Sequence, residues 1–175
     1  DVVVVEVPRG AMVEEPIRIE YTGSEGHSAP RILIVVGSDA HCTIVESYTG
    51  SGAYFTNAVT EVVAGDRSVI DHYKIQREDI RAFHVATLQA QLGRSANFST
   101  HSISLGGALV RNDVNAVLSE GTDATVNGLY IVNGKQHVDN HTSIDHAKPH
   151  AQSHEMYKGI LDGHSSAVFN GRIIV

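Results

Sequence analysis

Histidine is unusually dense in one stretch of this sequence. Five of its eleven histidines lie between Gln136 and Tyr157: His137, His141, His146, His150 and His154, with Asp139, Asn140 and Asp145 among them. Imidazole and carboxylate together suit borderline metals such as zinc and iron, and imidazole exchanges protons near neutrality. His137, His141, His146 and His150 are therefore the candidate metal ligands. Two histidines four residues apart on a helix would converge on one ion, but Asp139, Asn140, Asp145 and Pro149 disfavour a helix here. On a strand the same spacing keeps both rings on one face but separates them by about 13 Å, too far to share an ion. A metal would then need ligands from different passes of the chain. The other reading is a row of histidines bonding loop and ladder groups on a polar face.

Other chemistry-bearing residues are sparse. Cys42 is the only cysteine, which excludes an internal disulfide and fits a reducing compartment. It reads either as a thiolate ligand or sulfur carrier, or as a small buried apolar group. No phosphate-cradling glycine motif and no nucleophile elbow is present, and no Ser, His and Asp spacing singles out a triad. No catalytic and no cofactor-binding residue is assigned. Lys158 and Arg172, near Asp162, read as a partner-binding charge pair or as a solvated face.

The composition bounds the class. The chain has 175 residues, enough for a single domain with its own core, with 42% hydrophobic and 19% charged residues. A formal net charge of -7 argues against a nucleic-acid partner. No apolar run reaches membrane-spanning length, and the opening valines read as a buried strand rather than a signal peptide. Trp is absent and aromatics make up 6%, which disfavours a carbohydrate-stacking platform. The start at Asp1 without Met and the strand-like finish, Arg172 to Val175, lead us to expect a core domain over 1–175 truncated at both ends.

The elements that would position these residues are set by a repeat. Gly37, Gly65, Gly93 and Gly121 recur every 28 residues, and Pro149 falls at the next step. Further turn residues, including Gly23, Gly50, Asp79, Gly106, Gly134 and Gly163, lie about half a period away. Equivalent positions between the turns form mostly apolar or small columns: Cys42, Ile70, Phe98, Val126 and His154; Ile34, Val62, Ala90 and Leu118; Ile32, Thr60, Leu88 and Ala116. Residues two apart share a face of a strand, so each half-period reads as a strand with one buried face. The expected fold is all-β: a right-handed parallel β-helix, a flattened solenoid of about six rungs whose inner faces are buried only by stacking. Thr56, His84, Asn112 and Asn140 share a column and are expected to form a polar ladder. A β-sandwich of short strands is the alternative, disfavoured by the regular phase.

Several segments also resemble a known family. PRILIVVG (Pro30 to Gly37), YKIQRED (Tyr73 to Asp79), AFH (Ala82 to His84) and the stretch Ser102 to Tyr130 are similar to the core of the SufB/SufD proteins of iron–sulfur cluster assembly. The most specific similarity is in QHVDNHT, IDHAKPH, YKGIL and VFNG between Gly134 and Val175, and it is nearer the SufD branch. The signature positions are His137, Asp139, Asn140, His141, Asp145, His146, Tyr157, Lys158, Phe169, Asn170 and Gly171. The resemblance assigns them no particular role. It implies a β-helix scaffold, not an enzyme, which pairs with a SufB-like subunit or with itself. It also implies a SufC-type ATPase partner, which docks on a segment beyond Val175. The nascent iron–sulfur cluster belongs to the full complex, with ligands expected beyond Val175, so no cofactor is expected on this chain alone. Neither nucleic acid nor membrane is an expected partner. The implied location is the cytoplasm in bacteria or a plastid in plants. Against it stand two other classes, a polysaccharide-active β-helix enzyme and a histidine-rich metal-binding module.

Overall fold

Alternation of buried and exposed residues runs through nearly every segment and makes the chain a stack of strands. The computed structural model describes residues 2–175. The strands are β1 (Val2–Val7), β2 (Ile17–Gly23), β3 (Gly26–Ser28), β4 (Arg31–Val36), β5 (His41–Gly50), β6 (Tyr54–Ala64) and β7 (Val69–Arg77). They continue with β8 (Phe83–Leu92), β9 (Asn97–Ser104), β10 (Leu109–Leu118), β11 (Asp123–Val132), β12 (His137–Asp145), β13 (Gln152–Leu161) and β14 (Ser166–Ile174). No helix occurs among the described residues, and so none is long and apolar enough to cross a membrane.

Two parallel sheets face each other. One has the order β1-β4-β6-β8-β10-β12-β14, with β3 also on β6, and the other has the order β13-β11-β9-β7-β5-β2. From β4 onward consecutive strands therefore alternate between the sheets, and each pairs with one a full turn away: the expected parallel β-solenoid. Residues 78–82 form the corner between β7 and β8.

Between the sheets lies a mostly apolar core. Ile34, Ile44, Ile70, Leu92, Phe98, Leu118 and Ile144 are all buried there. Their positions follow from the two-residue pleat, which turns every second side chain inward. Gly128 and Gly159 mark close approaches inside the bore. A Cβ on Gly128 would collide with the Tyr157 ring, and one on Gly159 with the Tyr130 ring, so these glycines make room for tyrosines on neighbouring rungs.

The register corrects the simple 28-residue phase. β5 on β7 and β7 on β9 do pair at that offset, His41 opposite Val69 and Val69 opposite Asn97. At the next rung the pairing shortens by two residues, with Phe83 opposite Leu109 and Asn97 opposite Asp123. Ile70 and Phe98 are thus followed by Ala124 rather than Val126, Ala90 by Ala116 rather than Leu118, and Leu88 by Val114 rather than Ala116. The expected four-residue polar ladder is likewise two shorter ones: Thr56 opposes His84, and Asn112 opposes Asn140, but His84 opposes Val110. The corner after β9 is shorter than the one after β7, which absorbs the difference. A slip of two leaves every side chain on its original face, so the inward and outward assignments survive there. At the last rung the pairing lengthens by one: Val126 opposes Glu155, and His154 turns outward instead of following Val126.

The corners show the same slip. Gly10, Asp39, Arg67, Ser95, Gly121 and His150 all have positive φ. Asp39 N donates to Asp66 O, Arg67 N to Arg94 O and Ser95 N to Glu120 O, stacking these turns on one another. Gly121 thus stands over Ser95, not over Gly93, and supplies the left-handed conformation that glycine adopts without strain.

Candidate functional site

The candidate metal ligands lie apart from one another. His137 and His141 point outward from β12, where Asp139 lies between them. His137 Nδ1 is 2.7 Å from Ser166 Oγ, and His141 Nε2 is 2.8 Å from Asp139 Oδ1. Arg111 holds Asp113 and Asp139 together, with nitrogen–oxygen distances of 2.9 and 2.8 Å. His146 sits at the corner after β12, with Nε2 2.9 Å from Ser153 Oγ. His150 occupies the left-handed turn position. No group of three or more His, Cys, Asp or Glu side chains converges on a metal-sized site among the described residues. Cys42 is inward and buried, and burial, helped by the negative charge of Asp71, pushes its thiol up to about 11. A thiol held neutral in this way is a poor nucleophile and behaves as a small apolar group.

The signature positions divide by face. Asn140, Tyr157, Phe169 and Gly171 are on the inward side, while His137, Asp139, His141, Asp145, Lys158 and Asn170 are on the outward side. Tyr157 lies 4.7 Å from Phe169 between ring centroids. Gly171 opposes Thr142 and leaves space for Glu155, whose Oε2 would lie 3.1 Å from a Cβ there.

A larger concentration of functional groups lies inside the solenoid. Glu46 and Tyr48 on β5, Thr56 and Thr60 on β6, and His72, Lys74 and Gln76 on β7 all point inward and are buried. Glu78, in the corner, and His84, on β8, join them. The Glu46 carboxylate accepts hydrogen bonds from Tyr48 Oη and Thr60 Oγ1, both at 2.8 Å, and lies 3.0 Å from His72 Nε2. The other nitrogen of His72 lies 2.9 Å from Thr100 Oγ1. Glu78 forms a second, similar centre. It accepts from Thr56 at 2.8 Å and Gln76 at 3.0 Å, and lies 2.7 Å from His84 Nδ1. The edge of the Tyr48 ring packs on His84, with centroids 4.9 Å apart, and links the two centres.

Lys74 lies between these centres and the neutral groups deeper in the bore. Its ammonium donates to Asn112 Oδ1 at 2.6 Å, and Asn112 Nδ2 donates onward to Asn140 Oδ1 at 2.9 Å. Nζ is also 5.5 Å from the centroid of the Tyr48 ring.

Electrostatics follow from burial and pairing. Burial acts to raise the Glu46 and Glu78 carboxyls, but their histidine, hydroxyl and amide partners outweigh it and hold both below the usual value. Burial pulls the Lys74 ammonium down to about 8, against the attraction of Glu46 and Glu78. Burial, aided by the charge of Lys74, also lowers His84 to about 4.

A pH prediction follows for Lys74. From about pH 8 to 10.5 the unfolded chain still holds the Lys74 proton that the folded chain has released, so stability rises with pH through this window. Relative to Lys74→Met, the wild type is expected to gain up to roughly 3 kcal/mol across that window. Urea denaturation at stepped pH checks this. The comparison cancels the opposing effect of Cys42, whose folded-state value is raised. A constant difference between the two proteins would show that the Lys74 ammonium does not carry a burial penalty.

Apart from Thr56 and His84, expected as ladder positions, the interior cluster did not stand out in the sequence. His72, Lys74 and Gln76 share the two-residue phase of Ile70, a core position, and that phase is the signal that places them inside. Glu46 likewise shares the phase of Cys42 and Ile44.

Comparison with known proteins places this architecture. A family model described as SUF system FeS cluster assembly, SufBD core domain, matches residues 19–175. An iron–sulfur cluster assembly SufBD family protein of Synechocystis sp. is 28% identical over 190 residues, covering 100% of this chain and 42% of that protein. Protein ABCI7, chloroplastic, of Arabidopsis thaliana is 30% identical over 190 residues, covering 100% of this chain and 40% of its own length. The iron–sulfur cluster assembly protein SufD of Escherichia coli is 26% identical over 180 residues, covering 98% of this chain and 43% of its own. The chain thus spans about two fifths of the length of these relatives.

Proposed function

Because this chain belongs to the SufBD family of iron–sulfur cluster assembly proteins, we propose that it is the β-helical scaffold of a SufD-type subunit. In this reading it pairs with a SufB-like subunit, or with a second copy of itself, and works beside a SufC-type ATPase that supplies the hydrolysis. The nascent cluster is the cargo of that assembly, and this chain contributes shape and stiffness rather than a catalytic group. Among the features of the chain, the match over residues 19–175, which coincides with the stacked rungs, carries the reading. Parallel rungs bonded on both sides form a rod, and a rod holds interface groups within the narrow tolerance a cluster site needs.

The outward histidines then have a structural role. The Arg111, Asp113, Asp139 and His141 network ties β10 to β12 on the outside of the first sheet. Reading this face as a metal-binding module would require ligands brought by a partner.

Affinity purification of the full-length protein from its native host, followed by mass spectrometry, tests the proposal. Recovery of a SufB-like protein and a SufC-type ATPase is expected. Recovery of neither, with only self-association, would overturn the partner assignment and leave the fold untouched.

A further inference from the structure

Lys74 presents a chemical imbalance. An ammonium has three N–H donors, and the buried Nζ has one hydrogen-bond acceptor, Asn112 Oδ1. Beside it is a small space of about 20 Å3, whose polar lining includes Lys74, Glu46, His72, Thr100, Ser102 and Asn112. A single water needs about 10–15 Å3 of such space and two to four polar partners. Both conditions are met. β8 contributes Ala86, Thr87 and Leu88 to this boundary, and its inward-facing members, Ala86 and Leu88, are apolar, so the buried polar partners come from the strands around it.

The donor and acceptor count favours water over any ion. A further cation would face Lys74. An anion would face Glu46, whose carboxylate is held in its charged form by His72, Thr60 and Tyr48. Water alone can accept from Lys74 and donate to the carboxylate lone pair that remains, or to the Ser102 hydroxyl.

We propose that this cavity is a built site for one ordered water, which joins the Lys74 ammonium to the Glu46–His72 pair as a single proton-sharing unit inside the solenoid. The charges that act on Lys74 are Glu46 in this unit and Glu78 in the neighbouring centre, and the other titratable groups around it are His72, Tyr48, His84 and Asp113. The strands β6 and β9 offer it only neutral hydroxyls, and β10 offers the Asn112 amide, with the outward Asp113 carboxylate, paired to Arg111, at the edge of the space. The bridging water lets charge move among buried groups without any of them reaching bulk solvent, and it supplies the ammonium with an acceptor that no side chain provides.

Two measurements on the whole chain decide the matter. A high-resolution crystal structure is expected to show one water within hydrogen-bonding distance of Lys74 Nζ. An empty cavity there overturns the proposal. Nitrogen-15 NMR of the lysine side chains then follows the Lys74 titration in the wild type and in Ala86→Val, whose added methyl groups fill the space and expel the water. The midpoint is expected to fall by about one pH unit, a tenfold weaker hold on the proton. An unchanged midpoint overturns the coupling even if the water is present. Should Ala86→Val not fold, Ser102→Ala removes one partner of the water and is read in the same way, with a lowered midpoint expected and an unchanged one overturning the coupling.

Discussion

Glu46→Ala is expected to lower the unfolding free energy by about 3–5 kcal/mol, the usual cost of removing one partner of a buried charge network. Glu46 is 1% exposed, and its carboxylate is the common acceptor for Tyr48, Thr60 and His72. Truncation leaves three buried donors without a partner and leaves the Lys74 charge with less compensation. A change of this size is a large part of the stability of an ordinary domain. Urea denaturation followed by far-ultraviolet circular dichroism reads it directly. Arg94→Ala provides the contrast. Arg94 pairs with Asp66 at 4.0 Å on the exposed corner, and its loss is expected to change stability by less than about 1 kcal/mol. Equal effects for the two variants would mean that the interior network contributes no more than a surface ion pair.

Inserting one alanine between Leu88 and Gln89 is expected to abolish cooperative folding, or to cost more than about 5 kcal/mol. β8 pairs with β6 on one side and β10 on the other, so its register is fixed along both edges. Beyond the insertion every side chain changes face. Ala90 and Leu92, buried against the core, turn outward, and Gln89 and Gln91 turn inward. Each inward glutamine then meets a core with no partner for it, at about 1–3 kcal/mol apiece. A two-residue insertion at the same place restores the faces and is expected to be the milder change. This contrast matches what the protein already does, since it absorbs a natural slip of two residues at the next rung. Thermal unfolding of both insertions, side by side, checks the prediction. Equal damage from one and two residues would show that side-chain facing does not govern the stack.

By itself the sequence determined the architecture. A repeat near 28 residues, turn residues at its corners and two-residue alternation between them leave few alternatives to a parallel solenoid. These signals are local, and stacking amplifies each of them through the same interaction on every rung. The segments from Gln136 to Gly171 carried the family resemblance for a similar reason, since contiguous residues are legible as words. Register was less legible. Gly121 kept the 28-residue spacing while occupying a different turn position, that of Ser95. A periodicity cannot distinguish the two, because a slip of two residues preserves the face of every side chain.

Only the tertiary structure decided which polar residues act together. Glu46, His72 and Thr100 lie on three different strands, and Lys74 meets Asn112 from the opposite sheet. Nothing in their spacing announces these contacts, which arise because parallel stacking brings residues more than twenty positions apart to hydrogen-bonding distance across a closed bore. The histidines that drew attention by their density are spread along an outer face and a corner. The charged groups that drew less are gathered inside. Density along a chain is a one-dimensional property, whereas a site requires convergence in three dimensions, and in a solenoid convergence is set by rung, face and sheet together.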